Sequence, residues 1–214
     1  MVSLTQQSCK AFAQALASKA PVPGGGGAAA LAGALGTALC AMVGNFTVGK
    51  KKYAAVEADV QAMLERCQAL QERFLQLVEE DAAAFEPLSR AYAIPKDAPD
   101  RAQVLEEATW QASQAPAEMV RCCAQAVALL EEMLEKGSVM LLSDVGCGAL
   151  LCRAAMESAA LNVFVNTAAL QDRQAAGKLE REMDALLQDA LPRADRVAEQ
   201  VTGQIRKKED GTWQ

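Results

Sequence analysis

Apolar residues recur every three or four positions along most of the chain, which is the spacing that lines one face of an α-helix. No segment shows the alternation of apolar and polar residues that is typical of a β-strand. The pattern predicts helices over residues 4–18, 54–88, 101–115, 116–136, 143–170 and 175–206, with another after the glycines at 24–27 and an interruption near Pro192. It therefore predicts an all-α fold, a helical bundle with long antiparallel helices.

The connections between these helices carry signals for the start and end of a helix. Residues 93–99 are predicted to form a turn, Asp100 is placed to cap the next helix, and Gly137 is placed to end the 116–136 segment. No linker, internal repeat or low-complexity boundary interrupts the chain, so we expect a single domain over residues 1–214. The charged C-terminal segment KKEDGTWQ is expected to fray.

The segment from Ala20 to Gly49 contains no charged residue. Its helical part carries a stripe of minimal side chains at spacings of four: Ala28, Ala32, Gly36, Cys40 and Gly44. Another helix can approach such a stripe closely. A membrane span is the alternative, but the segment is dominated by Ala and Gly and no second span is evident, so we expect a buried helix and no membrane.

One carboxylate falls on the apolar side of the 54–88 helix. The apolar positions run through Phe74 and Leu77, and the next step of four reaches Asp81. A carboxylate among apolar residues is costly unless it is paired, hydrated or hydrogen-bonded. Asp81 is either such an acid or, because the pattern drifts toward Pro87, an acid at the solvated edge of the helix, and the spacing favours neither interpretation.

Composition and charge exclude several classes of function. The chain has no histidine, which excludes Ser-His-Asp and Cys-His catalysis and HExxH zinc sites, and leaves acid–base chemistry to Asp, Glu, Lys, Tyr or Cys. The formal net charge of −6 argues against general binding of nucleic acid. The seven cysteines include no CxxC pair, so we expect neither a disulfide framework nor a zinc site, and a reducing, cytoplasmic location.

Two motifs flank the uncharged helix, and each has a structural and a functional interpretation. PVPGGGG, residues 21–27, places flexible backbone before a helix whose first N–H groups are unpaired. This geometry suits a phosphate or carboxylate, but a flexible connection is the simpler explanation. GKKKY, residues 49–53, complements the C-terminal dipole of the helix, and its three lysines with Tyr53 also suit a multiply anionic ligand.

The 143–170 helix carries polar residues on one face. Ser158, Asn162 and Asn166 lie four residues apart. Asparagines in a largely apolar helix either line a polar pocket or make hydrogen bonds between helices. The spacing leaves both possibilities open.

Three segments, taken in order, resemble the formiminotransferase-cyclodeaminase C-terminal family, which includes formiminotetrahydrofolate cyclodeaminases and bacterial methenyltetrahydrofolate cyclohydrolases. The segments are PVPGGGGAAALAGALGTALCAMVGNFTVGKKKY, EDAAAFEPLSRAYAIP and SDVGCGALLCRAAMESAALNVFVN, and the resemblance spans residues 12–166. One position departs from the family. Gly27 stands where the family's motif usually ends in serine, so a hydroxyl contact from this position is lost.

The resemblance implies an all-helical, typically dimeric enzyme that binds a reduced folate and needs no metal, nucleotide or other cofactor beyond its tetrahydrofolate substrate. It implies Asp81 as general base or electrostatic partner of the substrate's amidinium, and Asp144 as proton relay or pterin anchor. The lysines would hold the folate's glutamate tail, with or without further glutamates. The substrate-binding residues implied are Gly24, Gly25, Gly26, Gly27, Lys50, Lys51, Lys52, Tyr53, Ser143, Asn162 and Asn166.

Two reactions agree with the resemblance. The cyclodeaminase reaction converts 5-formiminotetrahydrofolate to 5,10-methenyltetrahydrofolate and ammonia, and it is preferred here because it gives the family its name. A separate formiminotransferase would then supply the substrate. The cyclohydrolase reaction, the alternative, converts the methenyl compound to 10-formyltetrahydrofolate. An alternative of another class is a non-catalytic folate-binding or scaffold protein.

Overall fold

The computed structural model describes residues 3–207. These residues form six α-helices, namely α1 (Cys9–Leu16), α2 (Gly25–Asn45), α3 (Glu57–Ala93), α4 (Arg101–Lys136), α5 (Leu142–Ala169) and α6 (Arg173–Lys207). Three 3-10 helices, Leu4–Gln6, Lys51–Val56 and Val139–Leu141, lie in the connections. No strand occurs in this part of the chain, so the predicted all-α class is confirmed. Beyond Lys207, the segment expected to fray lies outside the described residues.

Three helices continue through a proline, namely α3 through Pro87, α4 through Pro116 and α6 through Pro192. The predicted break of the 101–136 region at Pro116 is wrong, because α4 runs through it to Lys136, and α6 likewise runs through Pro192. A proline inside a helix lacks the N–H that would bond the carbonyl four residues earlier. In α4 this carbonyl belongs to Ala112, and it accepts a hydrogen bond from Asn166 of α5 instead. Packing against a neighbouring helix therefore keeps α4 continuous.

Helix α4 lies at the centre and contacts α2, α3, α5 and α6, while α2 packs against α5 and α3. The predicted close approach of the small stripe is present where α2 meets α5. A Cβ atom at Gly36 would lie 2.6 Å from the Sγ atom of Cys152 and 2.9 Å from the carbonyl oxygen of Gly148. Gly25 lies beside Asn162, so the two helices run antiparallel.

The apolar side of α3 forms one wall of the core, as its periodicity predicts. Val60, Met63, Phe74 and Leu77 are all at most 2% exposed. A Cβ atom at Gly33 of α2 would lie 2.6 Å from the Phe74 ring. The absence of a side chain at Gly33 therefore lets the Phe74 ring of α3 lie directly against the α2 backbone.

Two predicted helix ends have different outcomes. Asp100 precedes α4, but its side chain makes no capping hydrogen bond. The prediction of a cap is wrong because Asp100 is in the helical region, with φ −92° and ψ −8°, whereas a capping residue is normally extended. Gly137 does end α4, at an ordinary φ of −77°. Glycine is needed there for space, since a Cβ atom would lie 2.5 Å from the Met133 carbonyl oxygen.

The expectation that the chain has no second helix that could span a membrane is wrong. Both Gly25–Asn45 and Val139–Ala169 are long and apolar enough to cross a membrane. Core helices of soluble proteins meet the same criterion, and these two contact each other and α4. Their apolar character is therefore weak evidence for a membrane.

Candidate functional site

A cleft of about 270 Å³ opens between the N-terminus of α2, the second half of α3 and the second half of α5, with α4 beside it. We call it the α2 cleft. It brings together residues that are far apart in the sequence. The predicted site residues that line it are Gly24, Gly25, Gly26, Asp81, Asn162 and Asn166.

The Asp81 carboxylate lies directly against the first turn of α2. A Cβ atom at Gly26 would lie 2.2 Å from Oδ1 of Asp81, so the carboxylate occupies the space that any side chain at position 26 would need. The first N–H groups of a helix lack partners within the helix and carry partial positive charge. The first turn of α2, which is formed by glycines, therefore gives the partly buried Asp81 carboxylate a polar environment in which it can remain charged.

Burial raises the pKa of Asp81 above its ordinary value of 3.8, and the backbone N–H of Gly27 only partly opposes this effect. Among the described residues that line the cleft, no lysine or arginine is present to lower this pKa further. A carboxylate with a raised pKa takes up a proton more readily near neutral pH, which is the property of a general base.

Gly27 contributes to this site through its backbone. It is buried and does not line the cleft. A Cβ atom at this position would lie 3.3 Å from Cβ of Pro23 and 3.8 Å from Cγ1 of Val78. The serine side chain typical of the family would thus start out toward Pro23 rather than into the cleft.

The two asparagines line the cleft and also make hydrogen bonds within the protein. Nδ2 of Asn162 donates to the carbonyl of Ser158 at 2.8 Å, and Nδ2 of Asn166 donates to the carbonyl of Ala112 at 3.0 Å. Both possibilities left open by the sequence are therefore realised for Asn166, which lines a polar pocket and links α5 to α4.

The remaining predicted residues lie at the opposite end of α2 and α5, which we call the lysine end. Its members are Lys50, Lys51, Lys52, Tyr53, Ser143 and Asp144. At about 1.5 Å per helical residue, Asp144 is roughly 27 Å along α5 from Asn162. Within one chain, Asp144 and Asp81 therefore do not share a reaction centre.

The lysine end is built on a turn after α2. Gly49 has φ +75°, a left-handed conformation that favours glycine, and it turns the chain toward the lysines. Nζ of Lys50 lies 5.9 Å from the centre of the Phe46 ring. The hydroxyl of Tyr53 accepts a hydrogen bond from the N–H of Val139 at 3.2 Å, which joins this turn to the 3-10 helix that precedes α5.

The sequence interpretation missed the apolar walls of the α2 cleft. Phe85, Leu88, Pro116 and Val165 line it together with the polar residues. Phe85 was detectable, because it lies one helical turn after Asp81 in a chain with few aromatic residues. Nothing in the sequence pairs α3 with Val165.

A larger cleft of about 680 Å³ lies beside Trp110 and contains none of the predicted site residues. Its Glu106 already accepts hydrogen bonds from the N–H groups of Gln171 and Asp172, at 2.8 and 2.9 Å. This carboxylate therefore holds the start of α6, and the α2 cleft is the better candidate site.

Comparisons with known proteins find relatives that belong to one enzyme family. The family model described as Formiminotransferase-cyclodeaminase matches residues 8–185. A methenyltetrahydrofolate cyclohydrolase of Methylorubrum extorquens is 39% identical over 93% of this chain and 98% of its own length. The formimidoyltransferase-cyclodeaminase of Rattus norvegicus is 29% identical over 90% of this chain but only 36% of its own length.

A solved structure also matches. The formiminotetrahydrofolate cyclodeaminase of Thermotoga maritima has a TM-score of 0.82 and 28% identity, with coverage of 92% of this chain and 98% of that one. The fold described above is therefore that of a known enzyme of similar length.

The raised pKa of Asp81 predicts a cost in stability. The folded protein holds the Asp81 proton to higher pH than the unfolded chain does, so near neutral pH the ionised carboxylate lowers the free energy of unfolding. We expect Asp81→Asn to be more stable than the wild type at neutral pH. The difference should shrink as the pH falls through the folded-state pKa toward 3.8.

Urea denaturation across this pH range measures the effect. Glu86→Gln, which removes an exposed carboxylate from the same helix, is the matched control and should show no such gain. An Asp81→Asn protein less stable than the wild type at neutral pH would contradict the account.

Proposed function

Because the chain belongs to the formiminotransferase-cyclodeaminase family, as its motifs predicted, we propose that it hydrolyses 5,10-methenyltetrahydrofolate to 10-formyltetrahydrofolate. The observation that carries this choice of reaction is the 39% identity, along nearly the whole of both chains, to a protein named for that activity. The Thermotoga maritima and Rattus norvegicus relatives, which are named for cyclodeaminase activity, are 28% and 29% identical. The reaction that the motifs alone favoured, the cyclodeaminase, becomes the second candidate.

The α2 cleft has a group suited to the hydrolysis. Water must add to the carbon of the cationic amidinium and lose a proton to give a hydroxyl adduct. The bond from this carbon to N5 then breaks as N5 takes up a proton and the hydroxyl loses its own, which leaves the formyl group on N10. Asp81 stabilises the cation while ionised, and its raised pKa suits it to take the proton from the attacking water. The chain has no histidine to share this work.

The cyclodeaminase reaction remains as the second candidate because of the matching Thermotoga maritima structure. In that reaction N10 of the folate attacks the formimino carbon on N5 and ammonia leaves. The same carboxylate would take the N10 proton and return a proton to the leaving nitrogen. A separate formiminotransferase would then supply the substrate.

We propose that the protein acts as a homodimer formed through an exposed apolar face on α2 and α5. Leu35, Leu150, Leu161 and Val165 on this face are between 52% and 69% exposed. The part of this face that α2 contributes carries no charged residue. A second copy of the same apolar face is therefore a suitable partner for it.

A two-fold dimer of this kind would also bring the two groups of predicted site residues together. The α2 cleft and the lysine end lie at opposite ends of the antiparallel α2–α5 pair. A two-fold axis across the middle of the pair places the lysine end of one copy beside the α2 cleft of the other. A folate has a pterin at one end and anionic glutamate at the other, so the proposed dimer would hold both ends.

We also propose that the enzyme works in the cytoplasm, apart from membranes, and needs no cofactor beyond its tetrahydrofolate substrate. All seven cysteines are free thiols, which supports a reducing compartment. The substrate already carries the electrophilic carbon, and the α2 cleft provides the acid–base group.

The reaction is tested by following the methenyl absorbance. Wild-type protein should accelerate its loss from 5,10-methenyltetrahydrofolate over the spontaneous rate. Asp81→Asn should reduce kcat by about 10²–10⁴-fold because the base is lost, whereas Glu86→Gln should retain the wild-type rate.

A second reaction mixture with 5-formiminotetrahydrofolate tests the other candidate. Appearance of the methenyl absorbance there would establish the cyclodeaminase. Full activity of Asp81→Asn would exclude Asp81 as the base. If the wild-type protein changes the methenyl absorbance in neither mixture, both proposed activities are wrong, and a non-catalytic binding protein is favoured.

The dimer is tested by placing a charge on its apolar face. Leu161→Glu should give a monomer in sedimentation equilibrium, because an isologous interface would bury the new carboxylate twice. Ile205→Glu, at an exposed apolar position of α6, should leave a dimer. A monomeric wild type, or a dimeric Leu161→Glu protein, would refute this interface.

A further inference from the structure

The amide groups of Asn162 and Asn166 are fixed in one orientation by the protein itself. Each Nδ2 atom faces a backbone carbonyl, at 2.8 Å for Asn162 and 3.0 Å for Asn166. A carbonyl oxygen can only accept a hydrogen bond, so the nitrogen side of each amide must face it. The oxygen side of each amide is thereby directed away from its carbonyl partner.

Pro116 makes this orientation obligatory for Asn166. In α4, the carbonyl of Ala112 would normally accept from the N–H of residue 116, and proline has none. A buried carbonyl without a partner costs about 1–3 kcal/mol. Turning the Asn166 amide over would leave the Ala112 carbonyl facing another oxygen, so the fold holds Nδ2 on it.

Asn162 is held beside the first turn of α2. A Cβ atom at Gly25 would lie 3.4 Å from Nδ2 and 3.5 Å from Oδ1 of Asn162, so the glycine lets the amide lie against the helix backbone. Neighbouring side chains four residues apart on a helix are about 5–6 Å apart. The two amide oxygens can therefore serve one small ligand.

The side chains of the α2 cleft consequently offer acceptors. Asp81 supplies a carboxylate, and each asparagine supplies an amide oxygen, because one N–H of each amide is held on a backbone carbonyl and this bond fixes the oxygen on the other side. The second N–H of each amide is the only other polar group that these two side chains offer. Among the described residues lining the cleft, no lysine or arginine adds a side-chain donor. Such a wall matches a ligand edge that carries several N–H groups.

We propose that Asn162 and Asn166 act as paired acceptors for the N–H edge of the pterin that is formed by N3–H and the 2-amino group. This inference rests on the proposed function and deepens it, since it states which edge of the substrate meets α5. The two residues select a pterin by its donors. A flipped pterin, with its carbonyl toward α5, would place acceptor against acceptor.

The test compares the affinities of two probes that do not react, 5-formyltetrahydrofolate and its 2-desamino analogue. Wild-type protein should bind the first about tenfold more tightly, because the analogue leaves an amide oxygen without a donor. In Asn162→Leu, which is nearly isosteric, the preference should fall toward onefold. Ser158→Ala, on the same face of α5 but outside the cleft, should keep the wild-type preference.

Asn166 needs a second change, because its loss would leave the Ala112 carbonyl without a partner. Pro116→Ala restores an N–H at position 116, so Pro116→Ala with Asn166→Leu should fold and still lose the preference. Equal affinity of the wild type for the two probes, or a preference retained in Asn162→Leu, would overturn the inference. If such a protein still turns over its substrate, the proposed function survives. Binding of neither probe, with no turnover, would refute both.

Discussion

The structure depends on how closely other helices approach α2, which its glycines permit. Gly33 makes room for Phe74 of α3, Gly36 for Cys152 of α5, and Gly26 for the carboxylate of Asp81. Two of these contacts are packing contacts and the third belongs to the candidate site. The same lack of side chains that builds the core therefore also brings Asp81 to the first turn of α2. A side chain at any of these positions would push a neighbouring helix or the carboxylate away.

The distribution of charge along α2 separates two parts of the proposed substrate site. The helix is uncharged throughout, its N-terminus faces a partly buried carboxylate, and three lysines follow its C-terminus. Desolvation of Asp81 costs stability, and the first turn of α2 offsets part of that cost. A group whose raised pKa lowers stability while suiting it to proton transfer is typical of a functional site. The apolar face between the two ends is the surface on which the proposed dimer would form.

Periodicity predicted the fold class and the buried side of α3 because these depend on residues within a single helix. It left Asp81 unresolved because the answer lies in Gly26, more than fifty residues away in sequence. The break expected at Pro116 was wrong because its freed carbonyl has a partner in α5, which no local pattern reveals. The motifs identified the family, but their order along the chain does not tell how far apart they lie in the folded protein. The sequence therefore gave no sign that Asp81 and Asp144 lie at opposite ends of the helix pair.

The central claim is that the α2 cleft binds the reacting end of a folate. A crystal structure of the protein with 5-formyltetrahydrofolate tests it most directly, because it places the pterin without assuming any reaction. We expect the pterin in the α2 cleft, with N–H groups within about 3 Å of the oxygens of Asn162 and Asn166 and with Asp81 beside the one-carbon unit. A pterin bound in the larger cleft beside Trp110, or at the lysine end, would contradict it.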